Sequence, residues 1–499
     1  MNDSSKTAPR RLPIFFFILI ALLMSSCMVG PKYQRPSAPV PQVYKEPPPD
    51  SFKETQGWKQ AQPNDAVIRG KWWEIYGDTQ LNALEEQVSI SNQNVLAAEA
   101  QFRQAREIVR VARAGLFPTV SAAPGITNSQ SSGTLYRGGQ LASLVQQRTV
   151  FTLPFDFSYQ ADIWGSIRRT VAADVATTQA TAAQLENARL SYQAQLAGDY
   201  FQLHGIDGEV DLLQRTANSY QDYLDLTRSR FDAGVASDAD VAQAETQLNT
   251  TKAQLIDLEV ARAQFEHAIA ILIGKPPSNL SISKLILKTP PPAIPGALPS
   301  ELLERRPDIA GAERQMAAAN EEIGFATAAY YPNITLSASA GFESSSITQW
   351  FTWPSRFWSV GPSLAETLFD AGRRRAQVAE ARAAYDATVA NYRQTVLVAF
   401  QQIEDNLAAM RVLEREAAVQ DQAVRSAERS LAVSTEQYKA GAADYLQVIT
   451  TQAIALQDER SAVDILTRRM TSSVLLIEAL GGGWSASALP SRDAIVHGK

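Results

Sequence analysis

Histidine, cysteine and paired carboxylates carry most side-chain chemistry, and here they are sparse. Among 499 residues there are three histidines, His204, His267 and His497, and one cysteine, Cys27. Scattered in this way they lack the spacing of a metal site, and one thiol cannot build a disulfide framework. No Ser or Cys sits in a Gly-flanked elbow that would raise a nucleophile. The chain therefore reads as a non-enzyme with no metal and no cofactor. The carboxylates that do follow a pattern flank two glycines: Asp238 and Asp240 come after Gly234, and Asp444 after Gly441. Ser237 with Asp240, and Asp444 with Gln447, have capping-box spacing, and each glycine suits the left-handed residue that ends a helix. In that role alone the acids would complement a helix dipole, worth about 0.3–1 kcal/mol each.

These turns close two long stretches of matching design. There are 68 residues between Gly165 and Gly234 and 68 between Gly372 and Gly441, offset by 207 positions. The second stretch has neither Gly nor Pro and is rich in Ala, Gln, Glu and Arg, so it reads as one unbroken helix roughly 100 Å long. It lacks the run of about 18 apolar residues that a membrane span needs. Its apolar positions recur every seven residues at Val378, Tyr385, Tyr392 and Ala399, then after a stutter at Met410, Ala417, Val424, Leu431 and Tyr438. The first stretch does the same with Val171, Thr178, Leu185 and Tyr192, then Leu203, Val210, Ala217, Leu224 and Phe231. Such a seam fits either a solid coiled-coil rod or a thin wall wetted on both faces.

Shorter helices decide between them. Gln93–Leu116 and Pro307–Tyr330 are 24-residue helical stretches stopped by Pro118 and Pro332. Return helices of 36 residues end at Gly274 and Gly481. One short helix stacked on one return helix gives roughly 90 Å, close to the long helix. Each copy thus supplies one continuous and one stacked column, which favours a tube. Between short and long helix the period changes to two: Phe151, Leu153, Phe155, Phe157, Tyr159, Ala161 and Ile163 alternate with polar residues, as do Ile334, Leu336, Ala338, Ala340 and Phe342, and Trp358, Val360, Pro362 and Leu364. With Tyr136, Trp350, Phe351, Trp353 and Phe357 beside them, these segments fit strands of a transmembrane β-barrel with aromatic girdles. Two strands per copy give four per chain, and four cannot close in lipid without leaving backbone groups unpaired. The chain must oligomerise.

The expected organisation is a signal peptide over 1–26, a lipidated Pro-rich tether over 27–60, a first structural repeat over 61–296, a second over 297–483 and a C-terminal tail over 484–499. Residues 1–26 have a basic start (Arg10, Arg11) and a 13-residue apolar core, Leu12–Met24, broken only by Pro13. Leu23-Met24-Ser25-Ser26-Cys27 resembles a lipobox, which makes Cys27 the lipidation site, carrying acyl chains into membrane lipid. Six prolines between Pro36 and Pro49 describe an extended tether. Formal charge is −6, and since residues 1–26 contribute +2 (Lys6, Arg10 and Arg11 against Asp3), the remainder carries −8. Nothing more basic than Arg373-Arg374-Arg375 appears, which reads as a solvated helix start and excludes nucleic acid as a partner.

The chain resembles the TolC-like outer membrane factors, in the lipoprotein branch typified by OprM and NodT. The resemblance rests on Cys27-Met28-Val29-Gly30-Pro31-Lys32-Tyr33-Gln34-Arg35-Pro36, on Trp72-Trp73 with Gly77-Asp78, on Glu304-Arg305-Arg306-Pro307-Asp308-Ile309, on Leu368-Phe369-Asp370-Ala371-Gly372-Arg373-Arg374-Arg375, and on the turns Phe231 to Val241 and Tyr438 to Val448. It implies an α+β membrane protein, a long α-helical barrel continuous with a transmembrane β-barrel, closed as a homotrimer. It further implies a passive exit channel of a tripartite efflux system in the cell outer membrane, with a tunnel through the periplasm. Its partners would be a periplasmic adaptor (membrane fusion) protein and an inner-membrane pump of the RND type. Met28 after the cysteine implies outer-membrane sorting. In the family the turns at Gly234 and Gly441 lie at the periplasmic tip and meet the adaptor. There Asp238, Asp240 and Asp444 would form acidic rings that gate entry, and Tyr438 matches a tyrosine that helps hold the tip closed. Gln447 departs from the acid expected beside Val448. A duct for protein secretion shares this fold, and a non-conducting coiled-coil lipoprotein is the structural alternative, although a rod has no use for amphipathic strands.

Overall fold

The computed structural model describes residues 28–49, 70–130, 132, 136–137, 140–141, 147–294 and 302–497. Cys27 and the expected signal peptide lie outside the described residues. Two helices dominate: α3 (Ser166–Asp232) and α7 (Arg373–Lys439), each of 67 residues. Both start after a left-handed glycine, Gly165 at φ 79° and Gly372 at φ 88°. Their seven-residue seams are turned inward, and only Phe231 among those positions is exposed.

The other helices are α1 (Thr79–Ser91), α2 (Gln93–Ala114), α4 (Asp238–Leu272), α5 (Leu302–Arg305), α6 (Pro307–Ala328), α8 (Tyr445–Ala479) and α9 (Arg492–His497). Packing places them in a layer four columns wide: α2 with α4, then α3, then α6 with α8, then α7. Two columns are thus made of two helices meeting end to end, and the residue just ahead of the short helix ties each joint, with Ser91 Oγ adding a bond to the Ile273 carbonyl at the first. Asn92 caps α2, its side-chain oxygen accepting from Asn94 N and Val95 N, and its amide donates to the Leu272 carbonyl at the end of α4 at 2.8 Å. Arg306 precedes α6, donates to the Ala479 carbonyl at the end of α8 at 2.9 Å, and is held by both Asp308 oxygens. The chain must turn without side chains at these joints: a Cβ on Gly274 would lie 2.1 Å from the Ser91 carbonyl oxygen, and one on Gly481 2.1 Å from that of Arg305. Around the joints lies the main apolar core, with Trp72, Leu81, Tyr200, Leu203, Ile269, Ile309 and Met316 fully buried.

A sheet stands at one end of the layer. Its order is β1 (Thr119–Ala122), β5 (Gln147–Ala161), β6 (Asn333–Ser344), β7 (Arg356–Ala365), with β2 (Gly125–Gln130) also paired to β5. β1 and β2 together occupy one position, because Pro124 offers no N–H and interrupts the ladder between them. The stretch expected as the first repeat therefore contributes more strand segments than the two expected, and β3 (Tyr136–Arg137) with β4 (Gln140–Leu141) forms a separate small hairpin. Antiparallel register aligns apolar side chains into rows: Val120, Phe157, Ala338 and Val360; Ala122, Phe155, Ala340 and Trp358; Ala161, Ile334 and Leu364. Between them run polar rows such as Ser121, Asp156, Ser339 and Ser359. One face is apolar and the other polar, as period two requires. No described helix is long and apolar enough to cross a membrane.

The Pro-rich N-terminal segment is extended, but it is laid along the helices instead of spanning free space. Val29 N donates to the Trp164 carbonyl at 3.2 Å and its own carbonyl accepts from Arg169 at 3.1 Å. Tyr33 reaches Glu313 at 2.6 Å, and the backbone amides of Lys45 and Glu46 bind the Glu404 carboxylate at 2.7 and 2.8 Å. Without intrasegment hydrogen bonds, a proline-rich strand leaves its polar backbone groups available for this docking.

Candidate gate at the paired helical turns

At the end of the layer opposite the sheet, α3 turns into α4 and α7 into α8. Each turn is closed the same way. Gly234 (φ 72°) donates to the Phe231 carbonyl and Val235 to that of Arg230, while Gly441 (φ 74°) donates to Tyr438 and Ala442 to Gln437. This is a Schellman closure, and it needs a left-handed residue where each glycine stands. At the first turn the capping box is complete: Ser237 Oγ accepts from Asp240 N at 3.2 Å, and the Asp240 carboxylate accepts from Ser237 N at 2.9 Å. At the second only half of it forms. Asp444 accepts from Gln447 N at 3.1 Å, but the Gln447 side chain turns to Gln437.

The predicted residues therefore divide. Asp238 and Asp444 are exposed, Asp240 is half-buried in its box, and Tyr438 is buried between the hairpins. Tyr438 belongs to an apolar cluster with Tyr220, Leu224, Leu248, Tyr445 and Val448, its ring 5.5 Å from that of Tyr445. Its hydroxyl meets Thr227 Oγ1 at 3.3 Å, and Tyr223 meets Thr435 at 2.6 Å. Burial, followed by neighbouring tyrosines and Asp240, pushes the Tyr445 hydroxyl above its ordinary range, so it stays a neutral donor. The acids and Tyr438 thus do not form one cluster: the tyrosines lie inside and the exposed acids outside.

Arg230 went unmarked in the sequence. Its guanidinium carbon lies 4.5 Å from the Tyr438 ring centre, and it donates to the Tyr438 carbonyl. One side chain from the first turn thus holds the C-terminal end of α7, where a cation also complements the helix dipole. The available signal was its place, two residues before the end of α3, where a basic residue has carbonyls to bind. Among the described residues no group of three or more His, Cys, Asp or Glu could hold a metal ion.

Residues 84–275 and 298–482 match the outer membrane efflux protein family, and the chain belongs to it. It is 30% identical over 486 residues to the solvent efflux pump outer membrane protein SrpC of Pseudomonas putida, covering 96% of this chain and 99% of that one. It is 30% identical over 427 residues to the pyoverdine export outer membrane protein OpmQ of Pseudomonas aeruginosa, covering 85% and 89%. Among solved structures it resembles the outer-membrane channel OprN, with a TM-score of 0.82 at 28% identity over 92% of this chain and all of the other.

Proposed function

We propose that three copies of this chain close into one duct, an outer-membrane exit channel that passively conducts small molecules delivered by an inner-membrane pump of the RND type through a periplasmic adaptor. The observation that carries this reading is the sheet. It has one apolar and one polar face and two open edges, β1 with β2 on one side and β7 on the other. Open edges cannot stand in lipid, so edge must meet edge between copies. Four sheet positions in each of three copies give about twelve, an even number within the range of outer-membrane barrels. Apolar rows would then face lipid and polar rows the water-filled lumen. The four helical columns of each copy would continue the wall through the periplasm.

Lipidation at Cys27 fits this placement. Met28 packs on Gly165, whose added Cβ would lie 2.8 Å from the Met28 side chain, so the residue after the cysteine sits at the base of the sheet. Acyl chains on Cys27 would enter the bilayer at that level. The far turns would meet the adaptor, with Asp238, Asp240 and Asp444 forming acidic rings by threefold symmetry and Tyr438 holding the hairpins together. The names of relatives that handle solvents or pyoverdine favour small-molecule cargo over protein.

Single-channel recording of the purified protein in planar bilayers, with native mass analysis of the same sample, tests the reading. A trimer with small, cation-selective openings is expected. A monomer, or a stable oligomer that never conducts, would overturn it.

A further inference from the structure

Below β7 the chain makes a loop, Glu366 to Gly372, before α7 begins. Leu368 and Phe369 in it are 92% and 87% exposed, more than any other large apolar residue described. The loop that presents them is firmly built. Arg374, expected as a solvated residue of a basic helix start, is instead turned back into the loop. It binds Asp370 at 2.7 Å and Glu366 at 3.3 Å, donates to the Thr367 and Ala329 carbonyls, and lies over the Tyr330 ring at 5.4 Å. Asp370 in turn accepts from Gly372 N at 3.0 Å. Ala371 holds φ 52°, the one non-glycine residue with positive φ among those described. A left-handed alanine costs stability, and its surroundings must over-determine it. Strain, a half-buried arginine and its four acceptors all serve to hold out two apolar side chains.

We propose that Leu368 and Phe369 are a hook that seats on the α2–β1 corner of the next copy of this chain, around Phe117. This rests on the closed-barrel reading above. β7 and α7 are the outermost strand and column on one side of the chain, and β1 and α2 are outermost on the other. Closing the ring brings these edges together. Register puts the two features near one level: Thr119 is aligned with Ser158, Ser337 and Gly361, and Ala161 with Ile334 and Leu364. Phe117 therefore enters the sheet beside the residues from which the loop leaves it. The corner is apolar and uncovered, with Phe117 62% and Val111 74% exposed. An apolar pair held rigid against its own entropy needs a preformed apolar seat, and this corner supplies one.

The test uses the full chain with Phe369→Cys and Phe117→Cys combined, treated with a short bis-maleimide and run on a denaturing gel, with native mass analysis alongside. Covalent dimers and trimers are expected from the double variant and not from either single variant. Native trimers that do not cross-link would overturn the hook and leave these side chains to lipid. Absence of any oligomer in the unsubstituted protein would overturn the closed barrel itself. A second measurement avoids dependence on the cysteines: Leu368→Ser with Phe369→Ser should lower by several degrees the temperature at which trimers dissociate, and no change would count against the hook.

Discussion

Arg230 and Tyr438 join the two hairpins: the guanidinium carbon stands 4.5 Å from the ring centre, and the same group donates to the Tyr438 carbonyl. A partly exposed cation–π contact is worth about 0.5–1 kcal/mol, and more when desolvated. Arg230→Ala should therefore loosen the turns and raise single-channel conductance while far-ultraviolet circular dichroism stays unchanged. Arg230→Lys, which keeps the charge but not the planar fork, should fall between. Unaltered conductance in both would reduce the contact to packing.

The exposed acids make a separate case. Asp444→Asn keeps a side-chain oxygen able to cap α8 but removes the charge. If the carboxylates form a ring, cation selectivity should fall and conductance change, with little effect on stability. If selectivity survives, capping is the role that remains.

The joint at Asn92 carries a stability prediction. Asn92→Ala removes an N-cap, about 1 kcal/mol, and leaves the Leu272 carbonyl without its donor, about 1–3 kcal/mol. Gly274→Ala should be at least as harmful, because the left-handed backbone at φ 69° and the nearby Ser91 carbonyl leave no room for a methyl group. Thermal unfolding followed by circular dichroism measures both, and a melting temperature equal to the parent protein's would disprove the joint's importance.

Two carboxyls in the helical region should make stability depend on pH. Burial lifts Asp199 from 3.8 to about 6, and raises Glu85 well above its ordinary 4.5. Neither oxygen of Glu85 has a hydrogen-bond partner among the described residues. A group whose folded pKa is raised binds its proton more tightly when folded. Its contribution is complete below the unfolded pKa and is lost as pH rises through the folded one. For Asp199 that window runs from 3.8 to about 6. Asp199→Asn should flatten the fall in melting temperature across it, Glu85→Gln should flatten the fall that begins above 4.5, and both should be more stable than the parent protein at pH 7. Parallel curves would show that other groups dominate.

Cys27→Ser should leave a folded trimer, since the residues just after it are held by Trp164, Arg169 and Glu313, but retention in outer membranes should weaken. Failure of this variant to trimerise would give the acyl chains a part in assembly.

What was legible in the sequence was local. Gly165, Gly234, Gly372 and Gly441 bound the long helices to within a residue because no other residue type takes their backbone conformation cheaply. The seven-residue seam and the two-residue alternation identified the buried sides of helices and the faces of strands. Thr119–Gln130 was hidden by the Pro124-Gly125 pair in its middle and by weak alternation. Arg230, Arg306, Asn92 and Arg374 escaped for another reason. Arg230, Arg306 and Asn92 act on partners 173 to 208 positions away, and Arg374 folds back on a loop where composition indicated only a basic helix start. Periodicity reports which side of an element is buried, not which distant carbonyl a side chain will find.

The joints at Asn92 and Arg306 cut alternate columns at about the same height, while α3 and α7 run through uncut. A wall made this way is stiff along its length yet creased across its middle. A swing of the end with the turns would need only a few hydrogen bonds at the crease to reopen, and the uncut helices would meet it by bending gently over many residues. In a ring of three copies closed as proposed, the rim that holds the sheet would then keep its circumference while the opposite mouth changed.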